Sequence, residues 1–128
     1  MTDSSQPPFQ PKPKKRSTKL KRLRQHTNPL AFQGERTKPD WQKLLGGPPE
    51  ELEVGFGLGE LVLTRAAAHR GTRICGLDVR WAYVEKARKD AAAMQPPLTN
   101  LCLLHAEGKQ ALPWFDQGSL NHIIVYFP

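Results

Sequence analysis

A glycine-rich segment near the middle of the chain, 53–60 (EVGFGLGE), has residue types suited to holding a charged ligand. Glycines at alternate positions, Gly55, Gly57 and Gly59, allow positive backbone φ angles and let a ligand approach the main chain closely. A helix that begins directly after them would add free N–H groups. The carboxylate of Glu53 favours a cationic or amino-bearing ligand over a pyrophosphate. The alternative is a tight strand-to-helix turn that binds nothing.

Two more carboxylates follow later predicted strands. Asp78 lies 23 residues after Gly55, close to the spacing of about 20 residues at which an acidic side chain binds ribose hydroxyls in nucleotide-binding folds. The glycines run G-x-G-x-G rather than G-x-G-x-x-G, so S-adenosylmethionine, with its sulfonium and α-amino group, fits better than a dinucleotide. Glu107 follows the third strand, where the adenine of such a cofactor would lie. Both acids have an alternative as helix caps, Asp78 before Arg80 and Glu107 at a helix N-terminus.

The rest of the chain must position these residues, and its pattern alternates strands and helices. Predicted strands cover 52–55, 73–78, 100–105 and 120–127, and predicted helices cover 41–45, 60–69, 80–94 and 107–112. Strands joined by helical crossovers indicate a parallel sheet with right-handed connections. The expected fold is therefore α/β.

Two of these segments carry specific expectations. The helix predicted over 80–94 has one apolar face that would lie on the sheet. That face is formed by Trp81, Val84, Ala87, Ala91 and Met94. Residues 123–127 are apolar on both faces of the last strand, as in an interior strand of a parallel sheet. Because only one residue follows them, we expect either that the chain is a fragment or that a partner covers this strand.

Positive charge is concentrated at the start of the chain. The 128 residues include 19 Lys and Arg against 12 Asp and Glu, for a formal net charge of +7. Residues 1–50 hold 11 basic and 4 acidic side chains, whereas residues 51–128 hold 8 of each. We interpret the basic residues of segment 12–24 as a tail that contacts a polyanion. The alternative is a solvated basic tail without a defined role.

Composition divides the chain into three parts. Residues 1–25 are rich in proline and basic residues and poor in large apolar groups, which predicts a disordered tail. Residues 26–49 form a pre-domain segment, and residues 50–128 form the N-terminal part of one folded domain. The sequence has no run of the roughly 18 apolar residues that a membrane span needs. We therefore expect a soluble, cytoplasmic protein that does not bind a membrane.

Other residues whose side chains could bind a ligand or a metal have simpler explanations. Cys75 and Cys102 lie 27 residues apart without a CxxC pattern, so we expect buried strand residues rather than a disulfide or a metal site. Trp41 and Trp114 could stack on a base, but packing in helices and loops is the more frequent role of such residues. His26 could lie over a cofactor pocket or be a surface loop residue.

These motifs, in this order, resemble those of the tRNA (guanine-N7-)-methyltransferase family over about residues 24–128. The matching blocks are 24–30 (RQHTNPL), 52–59 (LEVGFGLG), 76–78 (GLD), Asn100-Leu with Glu107, and 125–128 (VYFP). Members of the family usually have Glu at the position of Asp78 and Asp at the position of Glu107. In the family an aspartate follows the Phe-Pro pair, and here the sequence stops at Pro128.

The resemblance implies a Rossmann-like class I S-adenosylmethionine-dependent methyltransferase fold, cut short after the fourth strand, and methylation of N7 of a guanine in the tRNA variable loop. It places Glu53 and the glycine turn around the methionine part of the cofactor, Asp78 at the ribose and Glu107 near the adenine. It also implies that the polyanion bound by the basic tail is RNA. The candidate RNA-binding residues are Lys14, Lys15, Arg16, Lys19, Lys21, Arg22 and Arg24. No residue present can be assigned as catalytic. A non-catalytic RNA-binding protein is the main alternative. A nucleotide-dependent oxidoreductase is disfavoured by the glycine spacing and by Glu53.

Overall fold

The structure, a computed structural model, describes residues 34–126 and contains one parallel sheet with helices on both faces. In chain order its elements are α1 (Trp41–Leu45), β1 (Glu51–Val54), α2 (Glu60–Ala68), β2 (Ile74–Asp78), α3 (Trp81–Ala93), β3 (Leu101–His105), α4 (Gly108–Ala111), a 3-10 turn (Leu112–Trp114) and β4 (His122–Val125). The predicted elements are all present, with ends shifted by one or two residues. The candidate RNA-binding residues and His26 lie outside the described residues, and the predicted divisions at 25 and 49 stay predictions.

All strands are parallel, in the order β3-β2-β1-β4. In the register of the sheet, Val54 pairs with Leu77, and Asp78 pairs with His105. Because the carboxyl ends of parallel strands meet at one edge, Gly55, Asp78 and His105 lie along the same edge of the sheet. This is the edge at which open α/β sheets bind ligands. The predicted α/β class is confirmed.

The sheet separates two apolar cores. Helices α2 and α3 cover one face, where Val62, Ala66 and Val84 are buried. Helix α1, helix α4 and the 3-10 turn cover the other face, where Trp41 and Trp114 are buried. The indole Nε1 of Trp41 donates to the carbonyl oxygen of Trp114 at 3.0 Å. Both tryptophans therefore pack in the core, and neither ring is available to stack on a base.

The side chain of Asn100 connects the start of β3 to the end of α2. Its amide Nδ2 lies 3.1 Å from the carbonyl oxygen of Ala66 and 2.9 Å from those of His69 and Thr72. These carbonyls lie where α2 ends, so they need partners from outside the helix. Asn100 is 6% exposed and lies at the amino end of β3, away from the glycine turn. Its role is to hold α2 on the sheet.

The prediction for Trp81 is wrong. Val84 and Ala87 are fully buried, as the predicted apolar face requires, but Trp81 is 48% exposed. The physical reason is its position as the first residue of α3. Its ring centroid lies 5.6 Å from that of His105, at the end of β3, rather than in the core below.

The two cysteines are confirmed as buried strand residues. Cys75 in β2 and Cys102 in β3 are directly paired in the register of the sheet, and both are free thiols. Burial raises the pKa of the Cys75 thiol well above its usual value. Cys75 therefore serves as a small apolar core residue rather than as a nucleophile.

Strand β4 lies at an edge of the sheet and is paired with β1. Its apolar residues are largely exposed: Ile123 is 58% and Val125 45% exposed, and the adjoining Tyr126 is 47% exposed. Within residues 34–126, the outer edge of β4 meets no further strand. In that same part of the chain, none of the helices has the length and apolar character to cross a membrane.

Candidate cofactor-binding site

The turn that leaves β1 depends on glycine. Gly55, Gly57 and Gly59 have φ angles of +80°, +61° and +86°, a region that other residues rarely adopt. A Cβ at position 55 would also lie 3.0 Å from the carbonyl oxygen of Tyr126, whereas one at position 57 would meet nothing within 4 Å. At positions 55, 57 and 59 the turn therefore presents bare backbone at the ligand-binding edge of the sheet.

The N–H groups of these glycines are used within the protein. Gly55 donates to the carbonyl oxygen of Leu77 at 2.7 Å, and Gly59 donates to that of Phe56 at 3.0 Å. Gly57 donates to Oδ2 of Asp78 at 2.9 Å. These bonds fix the shape of the turn. What the glycines offer to a ligand is close approach, together with the N-terminus of α2 directly after Gly59.

Asp78 ends β2 as predicted, and its carboxylate is bound on all sides. It accepts hydrogen bonds from the N–H groups of Gly57 and Arg80 and from Nε and Nη2 of the Arg80 guanidinium, each at 2.9 Å. Four donors fill the acceptor positions of a carboxylate, and the Asp78 side chain is 0% exposed. Contact with a ribose therefore requires the Arg80 guanidinium to move aside.

Glu107 occupies the N-cap position of α4. Its carboxylate oxygens accept from the backbone N–H of Lys109 at 3.1 Å and of Gln110 at 3.0 Å. The helix-cap interpretation is therefore confirmed. The side chain is half-buried at the same edge of the sheet as the glycine turn, and its contact with an adenine stays a prediction.

Glu51 and Glu53 lie on the same face of β1 because side chains two residues apart in a strand point the same way. Arg65 of α2 binds Glu51 through Nε at 3.1 Å and through Nη2 at 2.8 and 2.9 Å. Nδ1 of His122 lies 3.6 Å from the same carboxylate. The nearest arginine of α2 is thus engaged by Glu51.

Within residues 34–126, Glu53 has no such partner. Its side chain is 2% exposed, and neither carboxylate oxygen has a hydrogen-bond partner among the described residues. Burial raises the pKa of Glu53 from 4.5 to about 7, although the charge of Arg65 acts in the opposite direction. A buried carboxyl group without a donor is costly, and natural proteins rarely leave one unpaired. Of the acids on this face of β1 and β2, Glu51 and Asp78 each bind an arginine, whereas the Glu53 carboxylate accepts no hydrogen bond from residues 34–126.

These features fit a cofactor that carries an amino group and a sulfonium. The unpaired Glu53 carboxylate would neutralise a cation, and the glycine turn would allow that cation to approach the end of β1. Both oxygens of Glu53 are closed to solvent, so a ligand that reaches them must displace part of the surrounding chain.

Sequence reasoning missed the two arginines that engage the neighbouring carboxylates. Arg80 is two residues from Asp78, and the Asp-x-Arg pattern is a local signal that could have identified this contact. Arg65 is 14 residues from Glu51, and its helix has to fold onto the sheet before the two side chains meet. No local signal would have identified that contact.

Comparison with known proteins gives the chain a family. Residues 48–128 match a family model described as a putative methyltransferase. A tRNA (guanine-N(7)-)-methyltransferase of Synechococcus elongatus is 38% identical over 115 residues, which cover 84% of this chain and 53% of the relative. Proteins of the same name from Thermosynechococcus vestitus and Limosilactobacillus fermentum are 35% identical over 112 residues and 30% over 101 residues, covering 52% and 44% of their lengths. The chain therefore spans about half the length of the curated relatives it matches.

Proposed function

Because the chain belongs to the methyltransferase family, and within it to the tRNA (guanine-N7-)-methyltransferases, we propose that it is the S-adenosylmethionine-binding part of an enzyme that methylates N7 of a guanine in the tRNA variable loop. The resemblance identified from the sequence motifs is confirmed. The observation that carries the proposal is Glu53, a buried carboxylate beside the glycine turn that has no hydrogen-bond partner within residues 34–126.

Each site residue has a proposed task. The glycine turn of Gly55, Gly57 and Gly59 and the carboxylate of Glu53 receive the methionine part of the cofactor. Asp78 binds the ribose after the Arg80 guanidinium has moved, and Glu107 lies near the adenine while it caps α4. The carboxylate of Glu53 must be ionised to pair with an amino group. Burial favours the protonated form of Glu53, whereas a bound cation would favour the ionised form.

When bound, S-adenosylmethionine would supply the methyl group to guanine N7, which has an in-plane lone pair and carries no proton. The chain therefore needs no general base for this transfer. Its described residues would contribute by positioning the methyl donor rigidly against the nucleophile. They would also contribute the negative charge of buried carboxylates near a reaction that moves positive charge onto a purine.

The remaining parts of the proposal concern partners and location. Lys14, Lys15, Arg16 and the other basic residues up to Arg24 would contact tRNA phosphates, which position RNA without reading its sequence. The enzyme would act in the cytoplasm, where tRNA is found. The exposed apolar residues of β4 would be covered by further polypeptide, either a continuing segment or a partner chain.

Calorimetry with S-adenosylhomocysteine tests the cofactor assignment on the full chain. We expect binding by the unaltered chain and a loss of about tenfold or more for Glu53→Gln, because a charge-assisted contact is removed. Glu85→Gln is the matched control, since Glu85 is an exposed acid within α3. Equal affinities of the Glu53 variant and the unaltered chain would refute the role of Glu53.

A second assay tests the reaction itself. The chain is incubated with tRNA and S-adenosylmethionine, and the nucleosides of the tRNA are analysed by mass spectrometry. We expect 7-methylguanosine in the variable loop. Methylation of another atom or of another region would contradict the proposed substrate.

The alternative function is a non-catalytic RNA-binding protein, in which the basic residues of segment 12–24 would supply the contacts with RNA. A salt titration of tRNA affinity tests whether the tail, residues 1–25, contacts RNA phosphates. Several phosphate contacts predict a steep fall in affinity with salt concentration, which should become shallower when residues 1–25 are deleted. RNA binding without cofactor binding or methylation would favour the alternative.

A further inference from the structure

Cys75 and Cys102 are the two cysteines of the chain, and the proposed function uses neither of them. They pair directly across β2 and β3 in the register of the sheet. Both belong to the core on the face that α1 covers, so their side chains point to the same side. The two free thiols are hydrogen-bonded to each other. The core therefore holds a pair of reduced sulfur atoms in contact.

The separation of two neighbouring strands suits a disulfide. Neighbouring strands lie about 4.8 Å apart, and disulfides join residues whose Cα atoms are about 4.4 to 6.8 Å apart. A bond between Cys75 and Cys102 would therefore need little movement of the backbone. The usual Cα separation is about 5.5 to 6 Å, so this bond would be strained, and strained disulfides are easily reduced. The geometry thus favours a reversible bond over a permanent one.

The two thiols differ in reactivity. Burial is the main cause that raises the pKa of Cys75, and the hydrogen bond with Cys102 acts in the same direction. That hydrogen bond lowers the pKa of Cys102. Burial and the charge of Glu35 oppose this decrease, and the charge of Arg88 adds to it. Because the thiolate is the reactive form of cysteine, Cys102 is the thiol that reacts first with an oxidant.

The position of Cys102 gives it the better access. It is 7% exposed, whereas Cys75 is fully buried, and its strand β3 is an outer strand of the sheet. On the outer edge of β3, Nε of Arg88 donates to the carbonyl oxygen of Leu103 at 2.9 Å. Residues at such an edge are exposed by local openings that need less free energy than unfolding of the whole domain. A small uncharged oxidant such as hydrogen peroxide can reach Cys102 through such an opening.

We propose that Cys75 and Cys102 form a site of reversible oxidation by peroxides, in which Cys102 is oxidised first and Cys75 closes a disulfide with it. In the first step the Cys102 thiolate attacks hydrogen peroxide, so that an S–O bond forms and the O–O bond breaks. The hydroxide that leaves takes up the proton that Cys102 had released and becomes water. The product is a sulfenic acid at Cys102.

In the second step the sulfur of Cys75 attacks the sulfur of this sulfenic acid. The S–S bond forms, the S–O bond breaks, and the departing hydroxide takes the thiol proton of Cys75 and leaves as a second water. Cys75 is a core residue in the reduced protein and reacts only with the oxidised sulfur that it already contacts. A small thiol such as glutathione then reduces the disulfide by thiol–disulfide exchange. The inference does not depend on the proposed cofactor or on RNA.

Mass spectrometry of the full chain tests the site. The folded chain is treated with hydrogen peroxide, catalase stops the reaction, and the chain is unfolded with iodoacetamide present and digested with trypsin. Cleavage after Lys and Arg separates the two cysteines into peptides 74–80 and 90–109. We expect these peptides to be joined, with a mass about 2 Da below the sum of their reduced masses, because two hydrogen atoms are lost. Dithiothreitol should restore the two separate peptides.

Two single substitutions test the order of the steps. Cys75→Ala removes the second thiol, so peroxide should leave a sulfenic acid at Cys102 that dimedone labels. Cys102→Ala is the matched control, in which Cys75 should be labelled at least about tenfold more slowly, because it is buried and protonated. Labelling of the unaltered folded chain with N-ethylmaleimide gives the same comparison without a substitution, and should modify Cys102 before Cys75.

Other results would overturn the inference. If peroxide at a concentration that oxidises the unfolded chain leaves both thiols of the folded chain open to iodoacetamide, the pair is not an oxidation site. Conversion of Cys102 to a sulfinic acid without a disulfide, or a disulfide between two chains, would show that Cys75 does not close the bond. Faster labelling of Cys75 than of Cys102 would contradict the order of the steps. Binding of S-adenosylhomocysteine is measured separately on the reduced chain, so its failure affects the proposed function and not this inference.

Discussion

The buried carboxyl group of Glu53 predicts that the free protein becomes less stable as the pH rises. Its folded-state pKa is about 7, raised from 4.5 by burial, so the folded state retains a proton that the unfolded state loses. Stability falls wherever the folded state binds more protons than the unfolded state. Below about pH 4.5, Glu53 therefore does not lower the free energy of unfolding. The loss of unfolding free energy grows as the pH rises from 4.5 and levels off above about pH 7.

The magnitude follows from the shift in pKa. Each pKa unit corresponds to about 1.4 kcal/mol, so a shift from 4.5 to about 7 predicts a loss of about 3 kcal/mol of unfolding free energy at high pH. Glu53 is 2% exposed, so its carboxyl group has little contact with solvent. For a domain of this size a loss of about 3 kcal/mol is a large fraction of the total stability.

The variant Glu53→Gln isolates this effect. Glutamine has nearly the same shape and does not ionise, so urea unfolding at about pH 4 should give similar midpoints for the variant and the unaltered chain. At about pH 8 the variant should be more stable by about 3 kcal/mol. Its affinity for S-adenosylhomocysteine should fall at the same time, because the charge that binds the ligand is lost.

Glu51→Gln is the matched control, because Glu51 lies two residues away on the same strand face. Its carboxylate is bound by Arg65, so the variant removes a favourable ion pair and should be less stable than the unaltered chain at about pH 8. The reasoning is refuted if the difference in stability between Glu53→Gln and the unaltered chain is the same at both pH values.

Four other substitutions test the glycine turn, the attachment of α2 and the exposed edge strand. Gly55→Ala should lower the unfolding free energy measured in urea by about 1 to 3 kcal/mol, because Gly55 has a φ of +80° and lies close to the carbonyl oxygen of Tyr126. Gly57→Ala should lower it less, because there is open space around Gly57. Equal losses for the two variants would contradict the steric argument. Asn100→Ala should cost about 2 to 3 kcal/mol in thermal unfolding, because it leaves the carbonyls at the end of α2 without their donor, and a loss below about 0.5 kcal/mol would contradict it. Ile123→Lys should reduce self-association measured by light scattering, because it places a charge on the exposed edge strand; unchanged scattering would show that β4 does not mediate association.

Much of the fold follows from local sequence. The helix α3 was predictable because Val84 and Ala87 repeat with a helical period, and both are buried. The glycine turn was predictable because positive φ angles at 55, 57 and 59 require glycine. Trp81 was misassigned because the helical period indicates a face of the helix and does not show where the sheet beneath it ends.

The candidate site was predictable in part. Glu53, Asp78 and Glu107 follow from their positions around strand ends, and the alternative interpretation of Glu107 as a helix cap was also visible in the sequence. The sequence did not show which of these carboxylates is buried or which one binds an arginine. Glu51 meets an arginine from α2, 14 residues away, and a contact of that kind depends on how a helix packs on the sheet.

The sequence by itself determined the order of strands and helices, the parallel α/β class, the glycine turn and the family, because periodicity, glycine spacing and motif order are properties of neighbouring residues. Only the tertiary structure decided that Asp78 is saturated by its own chain, that Glu53 is buried without a hydrogen-bond partner in the described part of the chain, and that Trp81 is the exposed tryptophan. Those properties are set by burial and by contacts between separate elements. Burial controls the cost of a charge, and packing controls which rings face solvent, so both appear only when helices and strands are assembled.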